Sequence, residues 1–241
     1  MSGHSKWNNI KHKKEKTDAA KAGIFTKIGK EIAVAVRAGG GDPNSNSKLR
    51  DLIAKAKANN VPNDNIERAI KKSLEKDGAV YEEMTYEGYG PGGVAVIVEA
   101  ATDSKNRTAG DVRHFFSKYG GNLGAMGCVS YLFSEKGVIL VEDEDAEIEE
   151  DKLMEDALEA GATDFESSEG LYEIYTEPDD VYAISEALTA KGYPIASAER
   201  AKVPSTYVTL ESQDDIDNMQ NLLDKLDDND DITNVYHNWE S

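Results

Sequence analysis

A single cysteine and the absence of any long apolar run are the first facts of this 241-residue chain. Cys128 alone excludes an internal disulfide and any zinc site built on several thiolates. It reads as a small buried hydrophobe in a strand rather than as a nucleophile. The longest apolar stretch, Val94 to Val98 with its alanine neighbours, is strand-sized and far too short to cross a bilayer. The lysines near the N-terminus are followed by no apolar h-region, so a secretory signal is not expected. Nor is an Arg-rich, acid-free transit segment, because Glu15 and Asp18 interrupt the lysines and the first arginine is Arg37. These absences together fit a reducing cytoplasm. With 39% apolar residues the chain has enough to bury a core, and its length points to two or three domains.

What is abundant is charge, and it is unevenly placed. The net charge is −19, yet residues 1–77 carry 17 Lys+Arg against 9 Asp+Glu, and the remaining residues carry 10 against 37. A cationic end on an anionic body attracts polyanions at that end and limits how they can be oriented by repulsion from the other. The bland alternative is that lysine-rich helices are solvated faces. The first 16 residues weigh against it. They hold Lys6, Lys11, Lys13, Lys14 and Lys16 interleaved with Trp7, His4 and His12, and only Trp7 and Ile10 are large apolar groups. Ammonium groups pair with phosphates, while indole and imidazole rings stack on unpaired bases. Trp7 tucked back against the first helix is the alternative for that residue.

Three short amphipathic helices are expected next. Thr17 can cap a helix with Ile24, Ile28, Ile32 and Val36 on one face, ended by Gly39-Gly40-Gly41. Ser47 can cap a second, with Leu49, Leu52, Ile53 and Ala56 inward, stopped before Pro62. Asp64 and Glu67 have capping-box spacing for a third that buries Ile66, Ile70 and Leu74. Lys21, Lys27, Lys30, Arg37, Lys55, Lys57, Lys71 and Lys72 are left for the outside of this small bundle. Of these, Lys21, Lys27, Lys30, Arg37, Lys55 and Lys57 join Lys6, Trp7, Lys11, His12, Lys13, Lys14 and Lys16 as the candidate nucleic-acid contacts.

After Gly78 strands and helices alternate. Tyr81–Glu87 and Val94–Ala101 read as strands joined by the turn at 89–93, residues 105–119 as a helix, and Val129–Phe133 as a strand. Residues 137–202 follow the βαββαβ order of a ferredoxin-like unit: strand 138–141, acidic helix 150–160, strands 163–166 and 171–176, helix 179–191 and strand 195–201. The tail adds strand 206–210, helix 214–226 and strand 232–237. Neither the tail nor residues 80–133 makes a finished sheet alone. The expected architecture is therefore α+β and multidomain: a helical domain over residues 1–78 with a flexible arm, a discontinuous α/β domain over 79–134 and 204–241, and an inserted ferredoxin-like domain over 135–203.

Several stretches carry a family resemblance. They are Gly3-His4-Ser5-Lys6-Trp7-Asn8-Asn9-Ile10-Lys11-His12, Lys27-Ile28-Gly29-Lys30-Glu31-Ile32, Tyr86-Glu87-Gly88-Tyr89-Gly90-Pro91-Gly92-Gly93, Thr102-Asp103-Ser104-Lys105-Asn106-Arg107-Thr108 and Gly120-Gly121-Asn122-Leu123-Gly124. In these the chain resembles, nearly end to end, the YebC family of regulatory proteins, which includes a mitochondrial translational activator of cytochrome oxidase. The resemblance implies three domains with an electropositive N-terminal one. It implies a cytoplasmic DNA-binding transcriptional regulator or, as for some members, a ribosome-associated factor that helps translation through proline-containing stretches. Met126 and Cys128 depart from it, standing where smaller or hydroxyl residues are expected.

Catalytic chemistry is poorly supplied. Tyr89–Gly93 lacks the Gly-Lys-Ser/Thr ending of a phosphate loop and reads as a turn between strands. Asp111 and His114 share a helix face near Asp103, and two acids with one imidazole could bind a metal or move a proton, but spacing supplies no second histidine or thiol. The acidic stretch from Glu142 to Asp156 reads as a solvated loop and helix face that would also keep nucleic acid off the inserted domain. The expectation is a non-enzymatic protein with no catalytic residue, no metal, no cofactor, no membrane partner and no small-molecule substrate. Its partner is nucleic acid: DNA, or the ribosomal RNA of the ribosome. A metal-dependent hydrolase on Asp103, Asp111 and His114 is the minor alternative.

Overall fold

The computed structural model describes residues 18–75, 79–143, 147–168 and 170–240, and side chains from residue 23 onward. Among the described residues, those of 134–203 form one compact unit, and those of 18–133 and 204–240 form the other.

The larger unit begins with three helices, α1 (Asp18–Gly39), α2 (Ser47–Ala58) and α3 (Asn63–Leu74). Ile28, Ile32, Val36, Leu49, Leu52, Ala56 and Ile66 pack into their shared core, as the three- and four-residue spacing requires. The caps differ from expectation by a residue or more. Asn46, not Ser47, caps α2, its side-chain oxygen accepting from the Leu49 N–H at 3.1 Å. Its amide also donates to the carbonyls of Ala35 and Gly40, at 2.8 Å each, so one buried side chain closes α1 and opens α2. No side chain caps α3; Pro62 precedes it, and Pro there suits a helix start because its missing N–H would have had no helical partner. Leu74, expected inside, is 61% exposed. Thr17 lies outside the described residues.

Four antiparallel strands follow: β1 (Glu82–Tyr89), β2 (Ala95–Thr102), β3 (Asn122–Leu123) and, from the end of the chain, β9 (Ile232–His237). Their order in the sheet is β3-β1-β2-β9. The late strand thus lies beside the second, completing a sheet that neither segment could build alone. Helix α4 (Lys105–Lys118) and helix α7 (Gln213–Asp227) cover one face. Val94, Val96 and Val98 meet Val112, Phe116, Met219, Leu222 and Leu226 there. On the other face Ala95 and Ile97 pack with Val129 and Tyr236, and α1 contacts β2 and β9. With both faces covered, β2 is buried along almost its whole length, which explains why it reads as an unbroken apolar run. A short parallel pair, β8 (Val208–Thr209) with β10 (Trp239–Glu240), ties the tail together.

The smaller unit is built from β4 (Phe133–Glu142), β5 (Asp164–Ser168), β6 (Leu171–Thr176) and β7 (Ile195–Pro204), with helices α5 (Glu150–Ala160) and α6 (Val181–Ala190). Its strand order is β5-β6-β4-β7. This is the ferredoxin-like order. Ile139, Val141, Tyr172, Ile174 and Ala198 of the sheet pack with Leu153, Ala157, Ile184 and Leu188 of the helices.

One expected strand is absent. Val129–Phe133 is a 3-10 turn over Ser130–Leu132 that leads directly into β4. The reason is Glu87. Its carboxylate, 4% exposed, accepts the N–H groups of Gly127, Val129 and Ser130 at 2.9 Å each, which removes them from any ladder.

Candidate nucleic-acid interface

Three of the lysines expected on the outer surface point inward instead. Lys30 pairs with Asp231 at 2.7 Å, with side chains only 12% and 6% exposed. Lys27 donates to the Asp227 carbonyl and lies 3.7 Å from its carboxylate. Lys55 bridges Glu31 at 3.0 Å and Asn234 at 3.2 Å. The physical reason is the acidic tail. Asp227, Asp231 and the end of the sheet lie directly against α1, and a cation next to a buried carboxylate is worth far more paired than solvated. These lysines attach the helices to the sheet. Two other cations are similarly occupied: Lys48 pairs with Glu83 and Lys105 with Glu82.

Asp231 is the centre of this lock. Besides Lys30 it accepts from Arg107 at 2.6 Å and from the Thr108 hydroxyl at 2.9 Å, and Thr102 is 3.2 Å away. Burial pushes its carboxyl up, but Lys30, Arg107 and Thr108 more than reverse this and hold it at about 2. Its own N–H is taken by Asn229. The motifs Lys27–Ile32 and Thr102–Thr108 therefore meet here, at a structural junction.

The motifs Tyr86–Gly93 and Gly120–Gly124 meet at a second junction. Glycine is needed there for close approach: a Cβ on Gly88 would stand 2.6 Å from the Asn122 carbonyl, and one on Gly121 would stand 2.7 Å from the Tyr89 carbonyl. Burial would raise the Glu87 carboxyl, yet the N–H groups of Val129, Gly127 and Ser130 keep it below the ordinary glutamate value. Cys128 lies in this loop, not in a strand. Burial, and Glu87 beside it, push its thiol up, away from thiolate reactivity.

Exposed cations remain on the helices: Arg50 and Lys57 on α2 and Arg68, Lys71 and Lys72 on α3. Arg37 is exposed in the last turn of α1. Lys57, Lys71 and Lys72 also sit in last turns, where they complement the helix dipole. A groove of about 430 Å³ runs between α1 and α3, with Phe25, Ile28, Ile32, Val61 and Ile66 in its walls alongside Arg68 and Lys72. Lys6, Trp7, Lys11, His12, Lys13, Lys14 and Lys16, and the side chain of Lys21, lie outside the described residues.

The acid–imidazole set is engaged elsewhere. Asp103 pairs with Arg107 at 2.7 Å, Asp111 accepts from Asn229 at 3.3 Å, and the His114 ring lies against Phe115. Among the described residues no group of three or more His, Cys, Asp or Glu could hold a metal, and no helix is long and apolar enough to cross a membrane.

Sequence reasoning missed Asp231 and Glu87. Asp231 ends the run Asp227-Asp228-Asn229-Asp230-Asp231, and composition cannot separate one buried acid from its solvated neighbours. Glu87 did carry a signal: an acid among glycines and aromatics where a turn leaves backbone N–H groups to satisfy.

Known proteins fill in the context. Residues 5–76 match the family model described as the TACO1/YebC protein N-terminal domain, and residues 81–239 match the TACO1/YebC second and third domain. A relative from Acetivibrio thermocellus is 58% identical over 240 residues, covering 99% of each chain. Another, from Ruminiclostridium cellulolyticum, is 58% identical, covering 100% of this chain and 97% of its own. Both carry the name "Probable transcriptional regulatory protein". The crystal structure of a conserved hypothetical protein from Aquifex aeolicus superposes with a TM-score of 0.82 at 45% identity, covering 94% of this chain and 93% of that one. With both of its sequence segments matched and relatives this similar along their full length, the chain belongs to the TACO1/YebC family of regulatory proteins.

Proposed function

We propose that this protein is a non-enzymatic regulator of gene expression that acts by binding nucleic acid through residues 1–78, with DNA as the target that a transcriptional role would require. The observation that carries this reading is the separation of charge. The helices keep Arg50, Lys57, Arg68, Lys71 and Lys72 at the surface, while residues 134–203 hold 21 acidic against 5 basic residues. A polyanion is drawn to the cationic segment and repelled by the anionic one. In the sequence, Lys6, Lys11, Lys13, Lys14 and Lys16, with Trp7 and His12, add to the same cationic segment. Lys27, Lys30 and Lys55 serve it indirectly, by fixing the helices to the sheet.

A second reading is binding to ribosomal RNA, with an effect on translation at proline-containing stretches. It is favoured by the lack of a compact base-reading row: the exposed arginines Arg50 and Arg68 stand on different helices. The Lys, His, Asn and Trp composition of residues 4–16 also suits unpaired RNA better than a regular groove.

The test is equilibrium binding of the full chain to duplex DNA, single-stranded RNA and ribosomes across a salt series. Every phosphate that is no longer neutralised should reduce the log–log salt slope by roughly 0.7–0.9. Charge reversal at Lys11, Lys13 and Lys14, or at Lys57 and Arg68, is expected to weaken binding and flatten that slope. Wild-type affinity of both variants for all three polyanions at low salt would refute the reading. Preference for duplex or for ribosome decides between its two forms.

A further inference from the structure

A second surface is built differently from the cationic end. From Val112 to Ser134 the chain has no acidic residue, its longest such stretch, although the molecule as a whole is strongly anionic. Arg113, His114 and Lys118 fall within it, all exposed. The loop that follows β3 displays Met126, 82% exposed, and Tyr131, 73% exposed, with Tyr89 at the end of β1. Large apolar side chains this open carry a solvation cost, and clustered ones mark contact surfaces.

This loop is not slack. Glu87 clamps three of its N–H groups from beneath, and the Gly124 N–H donates to the Glu87 carbonyl at 2.8 Å. The Tyr89 hydroxyl donates to the Cys128 carbonyl at 3.2 Å, and the Tyr89 and Tyr131 phenols lie close enough to interact. At the adjoining end of the sheet Asn122 pairs with Tyr89 in register, and the Lys118 ammonium lies over the Tyr119 ring at 5.2 Å. A buried carboxylate thus fixes the loop that carries Tyr131 and Met126, beside Tyr89, within the acid-free stretch of sequence that also holds Lys118 and Asn122.

We propose that the 122–131 loop, with Tyr89, is a stacking platform for unpaired bases of RNA, with Tyr131 and Met126 as its contact residues. Exposed π faces with cations nearby in the chain are what single-stranded binding needs: rings take bases in any order, and ammonium or guanidinium groups can pair with the backbone. RNA is the natural occupant because its loops and ends leave bases unstacked, whereas duplex DNA keeps them inside. The inference rests on the RNA form of the function proposed above and adds a site that the charge argument does not contain.

The test uses the full chain and a fluorescently labelled, unstructured RNA oligonucleotide, read by anisotropy across a salt series, with single-stranded DNA of the same sequence and duplex DNA alongside. Stacking involves no counterion release, so its loss should weaken binding equally at every salt concentration. Tyr131→Ala combined with Met126→Ala is expected to bind RNA about tenfold more weakly, with an unchanged salt slope. Tyr131→Phe, which keeps the ring, should bind as wild type does. Lys57→Glu with Arg68→Glu should instead flatten the slope. Both loop residues are exposed, so thermal unfolding serves as a control that the fold survives. RNA binding by wild type that is unaffected in the loop double variant overturns this inference and leaves the parent reading intact. Failure of wild type to bind any of the polyanions overturns both. A loop variant that keeps its RNA affinity but no longer crosslinks to a protein partner would reassign the platform to protein and also overturn the inference.

Discussion

Replacing Asp231 with asparagine should release the lock between helices and sheet, and its size follows from the structure. The carboxylate is 6% exposed and faces Lys30, itself 12% exposed, together with Arg107 and Thr108. A carboxyl ordinarily near 3.8 that is held at about 2 favours the charged form in the folded state by on the order of 2–3 kcal/mol. Asparagine also leaves Lys30 facing a neutral partner in a nearly closed site, and breaking one side of such a pair costs about 3–5 kcal/mol. A loss of roughly 3 kcal/mol is therefore expected for Asp231→Asn, lowering Tm by about 6–12 °C. The assay is urea and thermal denaturation, with hydrogen exchange to ask whether α1 loses protection first. Lys30→Met in the same chain should recover part of the loss, because the stranded cation is gone. The pH dependence has a definite sign. The folded carboxyl titrates below the unfolded one, so its stabilisation is complete above about pH 4 and disappears as pH falls toward 2. An Asp231→Asn variant within about 0.5 kcal/mol of wild type, with an unaltered acid limb, would refute this account of the junction.

Three more outcomes are expected. Glu87→Gln replaces an acceptor of three N–H groups with an amide that cannot accept from all of them; a loss of about 2 kcal/mol and faster amide exchange over residues 124–131 should follow, measured by denaturation and mass-detected exchange. Gly137→Ala would put a Cβ against the Thr176 hydroxyl and 2.6 Å from the Val181 Cβ, and it should destabilise residues 134–203 by about 1–3 kcal/mol with little change in the other unit, resolved by exchange of each unit separately. His237 is buried, and burial lowers its imidazole to about 4; the unfolded chain therefore takes up the proton first, and stability should fall as pH drops from about 6.5 toward 4, a slope that His237→Gln flattens in pH-dependent denaturation.

Periodic features are legible in the sequence because burial imposes them directly. The spacing of Ile24, Ile28, Ile32 and Val36 marks α1, the βαββαβ order marks the inserted unit, and the unbroken apolar run at 94–98 marks a strand with both faces covered. What is not legible depends on contacts distant in sequence. Nothing near Lys30 says that it meets Asp231, 201 residues away, so the inward lysines read as outward ones. Cys128 reads as a strand residue, whereas Glu87, 40 residues from Gly127, turns that segment into a loop. The motif residues are conspicuous, but their chemistry at both junctions is hydrogen-bonding architecture.

The pairing of β9 with β2 has a consequence for synthesis. Ile232–His237 leaves the ribosome after every other strand of its sheet, so until then the apolar edge of Val94–Val98 lacks its neighbour. The ammonium groups of Lys27 and Lys30 have not yet met Asp227 and Asp231 either. The nascent chain therefore passes through a stage more cationic and stickier at its helical end than the finished molecule. Translation halted before Asp227 would trap it there, leaving a product prone to aggregate and to cling to polyanions indiscriminately.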